Sequence, residues 1–173
     1  MSGVTFNWYT LGGALIIAAA AATFAYYRYL QEQKHQRSTL LNALFSEIAN
    51  IYEHYSYAAH EIPTTLEDEF EIQKRLRWSS YGKISSISDI EKLGFLSALN
   101  IKALLQLGLL IRNDDMLLQQ LQEKKEEITP ERLKYLKGRF KDRIENSERI
   151  ISELIKSYPH LHPIFENIKS QFL

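Results

Sequence analysis

Cysteine is missing from the chain altogether. That excludes disulfides, thiolate metal sites, cysteine nucleophiles and thioether attachment of a lipid. It leaves the compartment open, because a chain without thiols tolerates either redox state. Turn-forming residues are scarce, with seven glycines and four prolines among 173 residues. Such scarcity favours long helices over a turn-rich sheet protein. An excess of either charge is also absent, since 21 basic residues balance 21 acidic ones. A net charge near zero removes the global argument for nucleic acid as a partner. Finally, no Asp, Glu, Lys or Arg occurs before Arg28.

What is present is ordinary for a folded protein: 45% hydrophobic and 24% charged residues. Disorder is therefore not indicated. The length suits one soluble domain, typically of roughly 100–150 residues, together with a short additional segment.

The charge-free run from Trp8 to Tyr27 reads as that segment. Twenty helical residues rise about 30 Å, the thickness of a bilayer's hydrocarbon core. Phe6, Trp8 and Tyr9 stand at one end of the run, and Phe24, Tyr26, Tyr27 and Tyr29 at the other. This is the aromatic belt of a spanning helix. A cleaved signal peptide fits less well. Ala18 to Ala22 resembles a cleavage site, but no basic residue precedes the apolar run.

Arg28, Lys34 and Arg37 follow the run, with only Glu32 opposing them. Positive flanks remain in the cytoplasm. The expected organisation is an extracytoplasmic tail at 1–7, a transmembrane helix at 8–29 and a cytoplasmic domain at 30–173. In a bacterium this means the inner membrane. The same three cations are candidate contacts for anionic lipid. Gly12, Gly13, Ala14, Ala18 and Ala22 give the anchor a small face, with alanines at spacing four. Such a face lets helix backbones approach one another in lipid. A generic alanine-rich anchor touching only lipid has the same composition.

The remainder reads as an all-α, antiparallel bundle of about four helices. Leu41, Leu44, Ile48, Ile51, Tyr55, Ala58 and Ile62 recur at steps of three and four, as in a coiled-coil seam. No proline or glycine interrupts residues 28–61, so the anchor is expected to continue as one long helix that Pro63 ends. Thr64 with Glu67 marks a capping box for a shorter helix reaching Trp78. Its acidic residues come first and its basic ones last, complementing the helix dipole. Residues 79–88 read as a loop, and Ser88 with Glu91 as the cap of a short turn that stops at Gly94.

Ser97 then starts the most apolar helix, expected to lie centrally with neighbours on several sides. Thr129-Pro130-Glu131 is a strong start for the last long helix. That helix keeps Leu133, Leu136, Phe140, Ile144, Ile151 and Leu154 on one side, and Pro159 follows it. A short terminal helix is expected from Ile164, Phe165, Ile168 and Phe172. The layout of anchor, long helix, short helix, Leu-Gly-Phe-Leu-Ser at 93–97 and two long helices resembles small bacterial membrane-anchored helical proteins. That resemblance implies no catalytic residue.

Candidate chemistry is sparse. A carboxylate-bridged di-metal site needs paired Glu-x-x-His motifs on facing helices. Glu32 with His35 is one such motif, and a second is missing from the sequence. His160 and His162 flank Leu161 without a nearby third ligand, so they read as a polar turn. His54 and His60 adjoin Glu53 and Glu61, but adjacent helical positions point apart. Gly82-Lys83-Ile84-Ser85 lacks the glycine and hydroxyl of a phosphate loop. Asp114 and Asp115 interrupt an apolar helix, where such residues face solvent or pair with arginine. Lys134, Lys137 and Lys141 form a basic stripe, diluted by Glu131, Asp142 and Glu145.

These features lead to an expectation of no catalytic set, no cofactor, no metal and no nucleic acid. The expected function is a membrane-anchored interaction module, an accessory or scaffold subunit of a membrane assembly. Its partners would be the bilayer and either another protein or a second copy, met through the anchor and the bundle. The alternative is a membrane-tethered sensor or regulatory protein whose bundle binds a ligand or signalling partner.

Overall fold

The computed structural model describes residues 8–62, 93–123 and 128–170, with side chains from residue 16 onward. Those residues are all-α. They form α1 (Trp8–Glu61), α2 (Ala98–Gln122), α3 (Pro130–Ser157) and α4 (His162–Lys169), with a 3-10 turn at Pro159–Leu161. The chain divides into two units, Met1–Thr39 and Leu40–Leu173. The capping box at Thr64 and Glu67, the serine-rich loop and the cap at Ser88 lie outside the described residues.

In the first unit, the described side chains of α1 are largely exposed, among them Ile16, Ile17, Phe24, Tyr26, Tyr27 and Tyr29. The expected membrane span at 8–29 is not carried by the described residues. Among them, no helix is long and apolar enough to cross a membrane. From Arg28 onward α1 turns polar, with Arg28, Glu32, Lys34 and Arg37 following the apolar side chains described before them, and charged side chains are costly in a hydrocarbon core.

The second unit contains the core. On α1, Leu41, Leu44, Ile48, Ile51 and Tyr55 are buried, as their spacing predicts, as is Ile62 just beyond its end, while Ala58 of the same line is half-buried against the core. Phe45, Ala49 and Tyr52 are buried as well, so the face is broader than a two-stranded seam and suits a bundle. α1 ends at Glu61, just before Pro63, and the Ile62 N–H closes on the Ala58 carbonyl at 3.1 Å. Lys137 donates from Nζ to the Ile62 carbonyl at 3.3 Å. A cation there also complements the negative end of the helix dipole.

The starts of α2 and α3 follow from local chemistry. Ser97 is extended, and its hydroxyl accepts the Asn100 N–H at 3.2 Å. Thr129 is extended too, and its hydroxyl accepts the Arg132 N–H at 3.3 Å. Pro130 occupies the first turn, where a missing N–H costs nothing. α3 buries Leu133, Leu136, Phe140, Ile150, Ile151 and Leu154. It ends where the Tyr158 N–H reaches the Leu154 carbonyl at 2.8 Å, before Pro159.

Pairings across the helices give their directions. Tyr55 meets Phe140 edge-on with centroids 5.2 Å apart, while Ile62, just past the end of α1, meets the earlier Lys137. Asp114 of α2 pairs with Arg139 and Arg143 of α3. The start of α2 shares a groove with Arg149, Ile150, Glu153 and Ser157. Thus α3 runs antiparallel to both α2 and the bundle part of α1.

α4 docks through Phe165, which packs edge-on against Tyr52 at 5.4 Å. Lys169 bonds Glu148 at 2.5 Å, and this hydrogen bond and charge raise the lysine's pKa. Ile164, expected on the same face as Phe165, is exposed. Adjacent residues of a helix point about 100° apart, so only one of them meets the core. Phe172 lies outside the described residues.

Candidate functional site

Three helices converge on one buried carboxylate. Asp114 is 0% exposed and faces the core from α2 between Ile111 and Leu118. Arg143 is 4% exposed and occupies the buried stripe of α3 between Phe140 and Ser147. Its Nε donates to Asp114 Oδ2 at 2.7 Å, and its Nη2 donates to Oδ1 at 3.3 Å. Arg139, one turn earlier, brings Nη2 within 2.6 Å of Oδ1. From α1, the Tyr55 hydroxyl donates to Oδ2 at 3.0 Å.

This arrangement satisfies the carboxylate from four directions. The forked geometry of Arg143 fits the two oxygens, which is the strong form of such a pair. Every close partner donates, so the carboxylate is held as an acceptor and has no open face toward a substrate. The chemistry suited to the site is cohesion: one aspartate ties α1, α2 and α3 together. Burial lowers the Arg139 pKa, but Asp114's charge and Tyr135's hydrogen bond outweigh it, and the net direction is upward. The Tyr135 hydroxyl accepts from Arg139 Nη1 at 3.2 Å, and its ring lies 5.6 Å from the guanidinium carbon.

Ser147 continues the same buried stripe. It is 0% exposed, and its hydroxyl has no hydrogen-bond partner among the described residues. A buried unsatisfied hydroxyl costs about 1–3 kcal/mol. Ser147→Ala is therefore expected to raise the unfolding free energy by about 1 kcal/mol, measured by chemical denaturation in mild detergent. A loss of stability would show that the hydroxyl is satisfied.

The other sequence candidates do not converge. Gly12, Gly13 and Ala14 belong to α1, but their surroundings lie outside the described residues. Ala18 and Ala22 are exposed, as are Arg28, Lys34 and Arg37. His35 and His60 are exposed. The His54 ring is 2.7 Å from the Asn50 carbonyl, one turn back on its own helix. His160 is exposed, and His162 stands 3.9 Å from Glu166. Among the described residues, no group of three or more His, Asp or Glu side chains is placed to hold a metal. Residues 82–85 are outside the described residues.

Lys134, Lys137 and Lys141 border an open groove of about 570 Å³ with Pro130, Leu133 and Gly138. The stripe is divided in use, because Lys137 caps α1 while Lys134 and Lys141 are exposed.

Two features escaped sequence reasoning. The first is Arg143 as the partner of Asp114. Its signal was present: Leu136, Phe140, Arg143, Ser147, Ile150 and Leu154 share one helical spacing, and an arginine on such a line needs a buried partner. The second is the outward face of α2, where Leu105, Leu109 and Met116 are exposed instead of covered.

In comparisons with protein-family models, curated proteins and solved structures, the chain matches none.

Proposed function

We propose that this protein is a non-enzymatic, membrane-anchored helical interaction module, an accessory or scaffold subunit of a membrane assembly. The observation that carries this reading is the exposed apolar surface along the first part of α1. Ile16 and Ile17 are each 72% exposed, and Phe24, Tyr26, Tyr27 and Tyr29 are more than half exposed. Contiguous apolar surface usually marks a lipid or protein contact.

The sequence supports lipid as the first occupant. The charge-free run begins at Trp8 and is followed by Arg28, Lys34 and Arg37. Cations of this kind gain about 1 kcal/mol each near an anionic surface. In the proposed topology the N-terminus lies outside a bacterial inner membrane and the bundle in the cytoplasm. The small face of Gly12, Gly13, Ala14, Ala18 and Ala22 fits a second membrane helix, from another subunit or another copy.

The test replaces Ala14, Ala18 and Ala22 by leucine in the full chain. The variant is expected to stay in the membrane fraction after an alkaline wash, with a cytoplasm-dependent reporter fused after Leu173 still active. It is expected to lose the co-purifying partner or self-association of the wild type in mild detergent. Release of the wild type by the alkaline wash would reject the anchor. Undiminished association of the triple variant would make the anchor a passive tether.

A further inference from the structure

Beyond its first turn, where Leu99 is 79% exposed to one side, the outward face of α2 is apolar in a narrow line. Leu105, Leu109 and Met116 are 40%, 63% and 55% exposed. Steps of four and seven place them on one line of the helix. Lys102 and Arg112, both exposed, complete the line at alternating steps of three and four. The carboxylates of α2 sit elsewhere: Asp114 is buried and Asp115 is half-buried. The charged side chains exposed on α2 are therefore both cations.

Width and charge together favour an acidic helix over a bilayer surface or a second copy. A single line of apolar residues has the breadth of a helix–helix seam, whereas a helix lying in a bilayer surface presents a broad apolar face. Exposed Asn113 and Gln119 bound this line with amides. A second copy is a poor complement. A parallel pair in register sets Lys102 against Lys102 and Arg112 against Arg112, and an antiparallel pair centred between them sets lysine against arginine. Like charges in such positions disfavour the pairing.

We propose that this face docks an acidic amphipathic helix of a partner protein. Apolar side chains of that helix cover Leu105, Leu109 and Met116, and two of its carboxylates meet Lys102 and Arg112, about 15 Å apart along α2. The proposal rests on the interaction-module reading and names its cytoplasmic surface. Leu109, the most exposed of the three, is central to the line and is the anchor of the contact.

The experiment uses the full chain in mild detergent and two synthetic helical peptides. One carries a leucine seam with two glutamates ten residues apart, and its twin carries lysines at those two places. Fluorescence anisotropy of labelled peptide reads binding. The glutamate peptide is expected to bind at least about tenfold more tightly than its twin. The double variant Lys102→Glu with Arg112→Glu, which changes only surface charges, is expected to reverse that order. Leu109→Glu is expected to weaken the glutamate peptide by about tenfold or more, with the helical circular dichroism of the chain unchanged.

Equal binding of the two peptides, or an unreversed order in the charge-swapped variant, overturns the proposal. A photoreactive side chain at position 109 that joins only to lipid, to a second copy or to residues 63–92 of its own chain also overturns it. If the peptides fail while anchor-dependent co-purification persists, the α2 surface is wrong and the interaction module stands.

Discussion

Asp114→Ala is expected to lower the unfolding free energy of the bundle by about 3–5 kcal/mol, because it leaves a buried guanidinium without its counter-charge. Arg143 is 4% exposed, and both of its contacts to Asp114 disappear with the carboxylate. The Tyr55 hydroxyl loses an acceptor at the same time. Arg139 suffers less, since its side chain is 19% exposed and retains Tyr135. A small domain holds only about 5–15 kcal/mol in total, so the variant sits near the limit of folding. Tyr55→Phe is the matched control. It removes one hydrogen bond and keeps the ring against Phe140, for an expected loss of about 1 kcal/mol. Urea denaturation of the full chain in mild detergent, followed by circular dichroism, measures both. A loss below about 1 kcal/mol for Asp114→Ala would mean that water reaches Arg143 and replaces the carboxylate.

The helical architecture was legible wherever the governing chemistry is local. Ser97 and Thr129 are small oxygen-bearing residues placed just ahead of apolar periodicity, and both cap a helix. The line from Leu41 to Ile62 repeats at helical steps and lies in the core. Pro159 stops α3 because it offers no N–H to continue the ladder. Leu161 was harder to place. Two histidines and two prolines around it suggest a polar turn, yet it is fully buried between α3 and α4. The turn is polar at His160 and His162 and turns its one leucine inward.

The convergence at Asp114 was only half legible. Asp114 carries its own signal as a charge inside an apolar helix. Its partner, Arg143, is 29 residues away, and no local rule ties those two positions together. The outward face of α2 was illegible for a different reason. Leucine at 105 and 109 is the same residue whether its cover comes from this chain or from another molecule. Sequence periodicity therefore identifies an apolar line but not what occupies it. The structure places that line outside the bundle core.

Replacing the whole polar cluster is expected to recover most of the stability that Asp114→Ala loses. The variant combines Asp114→Leu, Arg143→Met, Arg139→Met and Tyr55→Phe, so that no charge or hydroxyl of the cluster remains to be satisfied. Burying ions costs several kcal/mol each in desolvation, and even good pairing often does no more than offset it. The cluster adds to that cost by placing two guanidiniums around one carboxylate. Methionine roughly matches arginine in volume and its unbranched chain adapts to an irregular space, which lets it yield to leucine, whose outline is that of aspartate but whose methyl ends are bulkier than carboxylate oxygens. The fourfold variant is therefore expected to lie within about 1–2 kcal/mol of the wild type, or above it. It should regain at least about 2 kcal/mol over Asp114→Ala. Denaturation of the wild type, the single variant and the fourfold variant under identical conditions makes the comparison. A fourfold variant no more stable than Asp114→Ala would show that the forked Arg143 pair is itself strongly net stabilising. If stability recovers while the near-ultraviolet circular dichroism falls well below that of Tyr55→Phe alone, the cluster acts on specificity instead. It would then fix how α1, α2 and α3 register against one another, because a carboxylate with four donors accepts one geometry where an apolar cluster accepts several.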